Sequence, residues 1–359
     1  MACRRFPAPA LAALLALCAA CGARAQIVVG QTAGFSGVVA AGVKETTDGA
    51  RLWIDAVNAR GGVNGQRIEL ASLDDRFDPK LAADNARRLI VERKVVALFL
   101  TRGTPHTQAV LPVLSEYKVA LVAPSTGAMA LHRPVHPFVF NVRAPYQREG
   151  ERLVQHLATI GLSRIAVLVT DDTFGADLLA GVEKGFRDTG GKPLLVEKLD
   201  RDKPDLAPLA RKVAASDAQA VVFIASGATV VEGTKAIRAA GFVKAMGENA
   251  RGTIVSQVFP SERAMALPIV KEATALAQAR SGDAVLSPAM MEGYAGAKVL
   301  VEALRRAGPN PTRERVVAAL NGLQRYDLGG MELSYGPGDH SGLDFVELSI
   351  VGADGLFRR

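Results

Sequence analysis

Cysteine is missing from almost the whole chain. All three, Cys3, Cys18 and Cys21, lie in the first 25 residues. No disulfide framework braces the rest, so a hydrophobic core must supply its stability. Aromatic residues are scarce, at 5%, and the charges are mixed rather than gathered into basic tracts. Nucleic-acid binding, which needs a basic surface interleaved with stacking rings, is therefore not expected. After residue 25 no segment is long and apolar enough to read as a membrane span. Phosphate-cradling glycine loops, nucleophile elbows and zinc-helix patterns are also lacking. The histidines His106, His132, His136, His156 and His340 stand in no recognisable triad context, against an exported hydrolase. His132 and His136 are four apart, but Pro134 lies between them, against a helical metal pair. Asp200, Asp202 and Asp205 are interrupted by Lys203 and Pro204 and lack the calcium-loop spacing. The sequence predicts no catalytic residue, no metal and no cofactor.

What is present begins with an export signal. Arg4 and Arg5 form a basic start, residues 10–20 are apolar, and Ala23-Arg24-Ala25 fits a small-x-small cleavage site before Gln26. A lipoprotein site at Cys21 is the alternative, but Cys18 stands where such a site wants leucine. Losing Arg4, Arg5 and Arg24, with no acidic residue, lowers the formal charge from +7 to +4. The remaining chain is long enough for two domains of ordinary size.

Its pattern alternates strand and helix. Residues 27–30 form an apolar strand that opens into a Gly/Ser/Thr loop at 31–37. A helix with Ala50, Ile54 and Val57 on one face stops at Gly61-Gly62. Residues 67–73 alternate like a strand and end in Asp74-Asp75; a helix follows over about 79–93. Strand 95–100 opens into Thr101-Arg102-Gly103-Thr104, and strand 119–123 into Pro124-Ser125-Thr126-Gly127. Strands alternating with helices predict an α/β fold with doubly wound parallel sheets. Ligands bind such sheets outside the carboxyl ends of the strands. Those ends here carry hydroxyls and glycines suited to a small polar molecule.

The alternation restarts after residues 141–144, as a second, similar domain would. Helix 145–161 precedes strand 164–170, which ends in Asp171-Asp172-Thr173-Phe174-Gly175. A helix to about 190, strand 192–199, helix 205–215, strand 218–225 ending in Ser226-Gly227, and a helix to 240 follow. Strand 253–257, helices 289–307 and 312–321, and strands 331–335 and 343–351 complete the chain.

The run Asn58-Ala59-Arg60-Gly61-Gly62-Val63-Asn64-Gly65, then Leu73-Asp74-Asp75 and Asp78-Pro79, resembles the periplasmic solute-binding proteins of ABC transporters. The resemblance is to the branched-chain (Leu/Ile/Val) amino-acid type. Gly103-Thr104-Pro105, Pro124 to Ala128, Phe140 to Ala144 with Tyr146, Asp171 to Gly175, Gly293-Tyr294 and Asp339 to Gly342 extend it over nearly the whole chain. It implies two lobes joined by three crossings, near 141–144, 256–260 and 325–335. The first lobe would be 26–142 with 258–327, and the second 143–257 with 328–359. It also implies a small amino acid or organic carboxylate as ligand in the cleft, a periplasmic monomer, and an inner-membrane permease as partner. An exported ligand sensor of the same fold, reporting to a receptor or regulator with weakened or altered ligand binding, is the rival function.

The resemblance also implies ligand roles. Thr104 stands where the family meets the ligand carboxylate with a hydroxyl at a helix start, an anion-favouring place; a plain N-cap is the alternative. Ser125, Thr126 and Gly127 form the turn that receives the ligand, or an ordinary turn. Gly127 replaces a family threonine. Arg102 is a departure that either clamps a carboxylate or points to solvent. Arg143 and Tyr146 bind ligand or brace the hinge. Phe174 replaces a tyrosine that covers the ligand from the second lobe. Ser226 stands where an aromatic is usual. After residue 241 the second lobe looks short by one strand, and the acidic residue that meets a ligand amino group goes with it. These departures favour a carboxylate without an α-amino group.

Overall fold

The structure is a computed structural model that describes residues 26–240, 254–351 and 357–358. The expected export signal and the segment where the second lobe looked short, 241–252, lie outside the described residues. The first stretch runs β1 (Ile27–Ala33), α1 (Ala40–Ala59), β2 (Ile68–Asp74), α2 (Pro79–Val91), β3 (Ala97–Phe99), α3 (Thr104–Tyr117), β4 (Ala120–Val122) and β5 (Val139–Phe140). The middle runs α4 (Tyr146–Thr159), β6 (Ile165–Thr170), α5 (Thr173–Asp188), β7 (Leu195–Leu199), α6 (Leu206–Ala215), β8 (Ala220–Ile224) and α7 (Ala228–Ala239). The last runs β9 (Ile254–Gln257), α8 (Pro268–Arg280), α9 (Pro288–Ala307), α10 (Arg313–Asn321), β10 (Tyr326–Asp327), β11 (Glu332–Leu333), β12 (Glu347–Val351) and β13 (Phe357–Arg358).

The first lobe is a five-stranded sheet in the order β2-β1-β3-β4-β5, parallel throughout. Every residue of β3 and β4 is buried, as strands covered by helices on both faces must be. Tyr294 on α9 is fully buried, with Trp53 of α1 set edge-on at 5.8 Å. The helices start where the sequence caps them. Asp78 accepts from the N–H groups of Lys80 and Leu81 at the head of α2, a bond set worth about 1 kcal/mol. Asp172 does the same for α5 through Gly175. Helix α8 and the short strand β5 were not expected from the sequence. Neither has a run long or regular enough to show a period.

The second lobe differs. Its parallel sheet has three strands among the described residues, in the order β7-β6-β8. A separate antiparallel sheet, β13-β12-β9, stands beside it; only parallel pairing had been expected.

The first crossing leaves β5 through residues 141–144, and the second enters the first-lobe core at Val258 and Phe259. We propose that the third falls later than residues 325–335. Leu328, Met331, Leu333, Tyr335 and Leu343 are still packed in the first-lobe core. The Asn141 N–H donates to the His340 carbonyl, and that of Leu343 to the Val142 carbonyl. Only at Glu347 does the chain pair with β9. We propose the lobe boundary between Leu343 and Glu347 on that ground.

Candidate functional site

Strand ends of both lobes and the first crossing converge on one cleft. From β3, Arg102 and Thr104 line it; from β4, Ser125 and Thr126 stand behind them, buried. Thr104 is the first residue of α3, and Gly103, not Thr104, is the N-cap residue. The Thr104 hydroxyl is thus spared from capping. It lies 2.8 Å from the Thr126 hydroxyl, both buried. Gly103 has φ of +89°, and a Cβ there would sit 2.7 Å from the His106 ring and 2.9 Å from that of Phe77. The loop must be glycine for those rings to stack, at 4.0 Å.

Arg102 does not point to solvent. Its guanidinium donates to the Ser125 hydroxyl at 2.8 Å, and the two residues form a parallel bridge. Gly127 is dictated by the crossing chain. A Cβ would meet the Ala144 carbonyl at 2.7 Å and the Tyr146 nitrogen at 2.8 Å, while the Tyr146 N–H donates to the Gly127 carbonyl at 2.7 Å. The threonine that the resemblance led one to look for has no room.

Tyr146 opens α4 and is buried. Its ring lies 4.6 Å beneath the Arg143 guanidinium and meets Phe174 edge-on at 5.0 Å. Arg143 pairs with Glu149, and Glu292 of the first lobe stands 4.0 Å away. Glu149 also accepts from the Ser256 hydroxyl on β9, at 2.7 Å. Arg143 therefore ties the first two crossings together. Burial opposes its charge, but the carboxylates around it outweigh that and hold it protonated. Burial pushes the Glu149 carboxyl up, against the pull of Arg143.

The sequence reading missed two residues here, Arg201 and Phe77. Arg201 follows β7, pairs with Asp172 and lies 3.4 Å from the Ser226 hydroxyl. Its guanidinium sits 5.3 Å from the Phe77 ring of the first lobe and 5.6 Å from the Phe174 ring of the second. Phe77 is held by Asp75, whose carboxylate accepts from the Phe77 N–H at 2.9 Å and the Thr32 hydroxyl at 3.2 Å. Burial raises the Asp75 pKa to about 6. Both residues follow a strand's carboxyl end, so the rule that pointed to Thr104 applied to them as well.

The lobes touch across the cleft. The Thr173 and Gln108 side chains meet at 3.1 Å, and the Met129 N–H donates to Asp177 at 3.0 Å. The eight residues singled out from the sequence, Arg102, Thr104, Ser125, Thr126, Gly127, Tyr146, Phe174 and Ser226, all lie in or beside this cleft; five of them, Arg102, Thr104, Tyr146, Phe174 and Ser226, line one cavity. Of its three arginines, Arg143 and Arg201 are neutralised by carboxylates, whereas Arg102, among the described residues, meets only a hydroxyl.

Two α/β lobes closed over a polar cleft define a ligand-binding protein, with the cleft positioned by strand ends and opened by a hinge. The chain belongs to the periplasmic binding protein family, whose pattern matches residues 26–344; this is a class of solute-binding proteins rather than of enzymes. It is 32% identical to a substrate-binding periplasmic protein from Ralstonia solanacearum, with a TM-score of 0.84 over 92% of this chain and 99% of that one. An amino acid binding protein of Pseudomonas aeruginosa is 27% identical over 203 residues, 56% of this chain and about half, 54%, of that protein's length. A Leu/Ile/Val-binding protein homolog of Brucella melitensis is 23% identical over 83% of this chain and 84% of that one. The fold is shared with a Rhodopseudomonas palustris solute-binding protein in complex with benzoate, at 16% identity and a TM-score of 0.81 over 93% of this chain and 95% of that one.

Proposed function

We propose that this protein captures a small organic carboxylate, without an α-amino group, in the cleft, and delivers it to an ABC-type permease in the inner membrane. It would act as an exported, periplasmic monomer. The observation that carries the reading is Arg102. It is a half-buried cation, oriented by Ser125, beside the paired Thr104 and Thr126 hydroxyls at the head of α3. A carboxylate placed there meets a guanidinium, the Thr104 hydroxyl and the N–H groups of a helix start. Charge-assisted bonds of this kind contribute about 1.5–3 kcal/mol each.

The acids in the cleft support the second half of the reading. Glu149 is engaged by Arg143 and Ser256, and Asp172 by Arg201. A ligand ammonium would have to compete with an arginine for either. The fold accommodates acids of this class, since the R. palustris neighbour holds benzoate. Phe77, Tyr146 and Phe174 offer ring edges and faces to an apolar body.

A thermal-shift screen of the purified protein tests the proposal, because a ligand bound only by the folded state raises the melting point. Simple carboxylates should raise it. A screen in which only α-amino acids do so would overturn the reading.

A further inference from the structure

The lobes also meet on the rim of the cleft, at the loop that leads from β1 to α1. Gly227 follows β8 with φ of +60°, and a Cβ there would lie 2.2 Å from the Val38 carbonyl oxygen. The next N–H, that of Ala228, donates to the same oxygen at 3.4 Å. The loop is braced on the first-lobe side. The Ser36 N–H donates to the Asp74 carboxylate at 3.2 Å, and Val39 is buried with Ala33 and Val43, against Phe35 and Phe77. Phe77 is the ring that Arg201 covers, and Arg201 lies beside Ser226, the residue before Gly227. The ends of β7 and β8 thus land side by side on one small first-lobe cluster. Arg102 adjoins it: a Cβ on Gly42 of α1 would lie 3.8 Å from its guanidinium.

We propose that Val38 and Gly227 form a clasp that the closing lobes must make, and that Gly227 is a positioning residue for ligand binding, acting through this contact. Val38 belongs to the first lobe and Gly227 to the second, so a hinge motion makes or breaks it. Only glycine lets the chain pass this near a carbonyl oxygen. Any side chain at residue 227 would hold the lobes apart at the rim, before Arg201 reaches Phe77. A protein whose closed state is less populated binds its ligand more weakly in proportion. The inference goes beyond the carboxylate reading, since the clasp serves whatever small ligand the cleft takes.

Every native cysteine lies in the first 25 residues, so an engineered disulfide can report the contact. Val38→Cys with Ala228→Cys, in a chain whose Cys3, Cys18 and Cys21 are changed to serine, is oxidised with and without Gly227→Asn. Asparagine adopts a left-handed backbone more readily than other side chains, so this variant adds the Cβ with little backbone strain. The disulfide should form, and Gly227→Asn should slow it about tenfold. Without the engineered cysteines, Gly227→Asn should weaken 4-methylpentanoate about tenfold in calorimetry, through faster release, with the melting point of the ligand-free protein unchanged. No disulfide, or equal rates with and without Gly227→Asn, would refute the clasp. An unchanged affinity, or a loss matched by a lower melting point, would refute the positioning role of Gly227. If the disulfide forms and slows as expected but the wild type does not bind the acid, the clasp stands and the carboxylate reading fails.

Discussion

In the first lobe, β3 and β4 are buried end to end, and their carboxyl ends carry Arg102, Thr104, Ser125 and Thr126. In the second lobe, β7 alternates half-buried and exposed residues, with Leu194 and Val196 near or on it open to solvent. Ile160, Val230, Val231 and Ile350, also of the second lobe, are exposed as well. Five parallel strands stand against three among the described residues. The lesson is a division of labour. A deeply packed sheet holds hydroxyls and a cation within the tight tolerance that an anchor needs. The second lobe brings to the same cleft the rings of Tyr146 and Phe174 and a carboxylate-paired arginine, Arg201.

Arg143 joins the two lobes, and its removal should have the largest effect. Arg143→Ala leaves Glu149 buried without its partner, and breaking such a pair costs about 3–5 kcal/mol. Denaturant unfolding should show that loss, and the paired Arg143→Met, Glu149→Leu variant should recover most of it. A single change that leaves stability untouched would remove Arg143 as the brace between lobes.

Next comes Asp75, a first-lobe group that fixes Phe77. Its folded pKa of about 6 lies above the ordinary aspartate value of 3.8. Its contribution to stability is therefore fully present below 3.8 and is lost as pH rises through about 6. At 1.36 kcal/mol per unit, the loss amounts to at most about 3 kcal/mol. Asp75→Asn should gain stability relative to the wild type as pH rises through that window. Melting curves for the two proteins that run parallel from pH 4 to pH 7 would contradict it.

Gly127→Thr asks whether the first lobe tolerates the residue of the amino-acid binders. A side chain 2.7 Å from the Ala144 carbonyl forces the crossing aside, at about 1–3 kcal/mol. The melting point should drop with no gain of amino-acid binding; an unchanged melting point would show that the close approach is not fixed.

Arg201→Ala should have the smallest effect, on the closing lobe alone. Cation–π contacts to Phe77 and Phe174 contribute about 0.5–1 kcal/mol each. Titration should show ligand leaving faster with its arrival rate little changed. A loss of binding as large as that of Arg102→Ala would move the anchor to the second lobe.

Much of this was legible in the sequence for a physical reason. Strands that end in Thr104 or Ser125-Thr126 announce a polar cleft, because parallel sheets place their ligands there. The helix caps Asp78 and Asp172 were equally open to reading. What the sequence hid depends on distant packing. That Gly127 is forced by Ala144 and Tyr146, that Phe77 and Arg201 meet across the cleft, and that Tyr335 stays in the first-lobe core are contacts between segments far apart. The β5 pair and helix α8 were hidden by shortness and by a weak apolar period. The first-lobe packing of Leu333 and Tyr335 was hidden because a two-residue strand such as β11 has no alternation to follow.

The most direct test of the anchor is a matched pair: leucine and 4-methylpentanoate, the same skeleton without its amino group, titrated calorimetrically into the wild type and Arg102→Ala. The deaminated acid should bind the wild type more tightly than leucine and lose about ten- to a hundredfold in affinity when Arg102 is removed. Tight leucine binding that survives the loss of Arg102 would contradict a first-lobe carboxylate anchor.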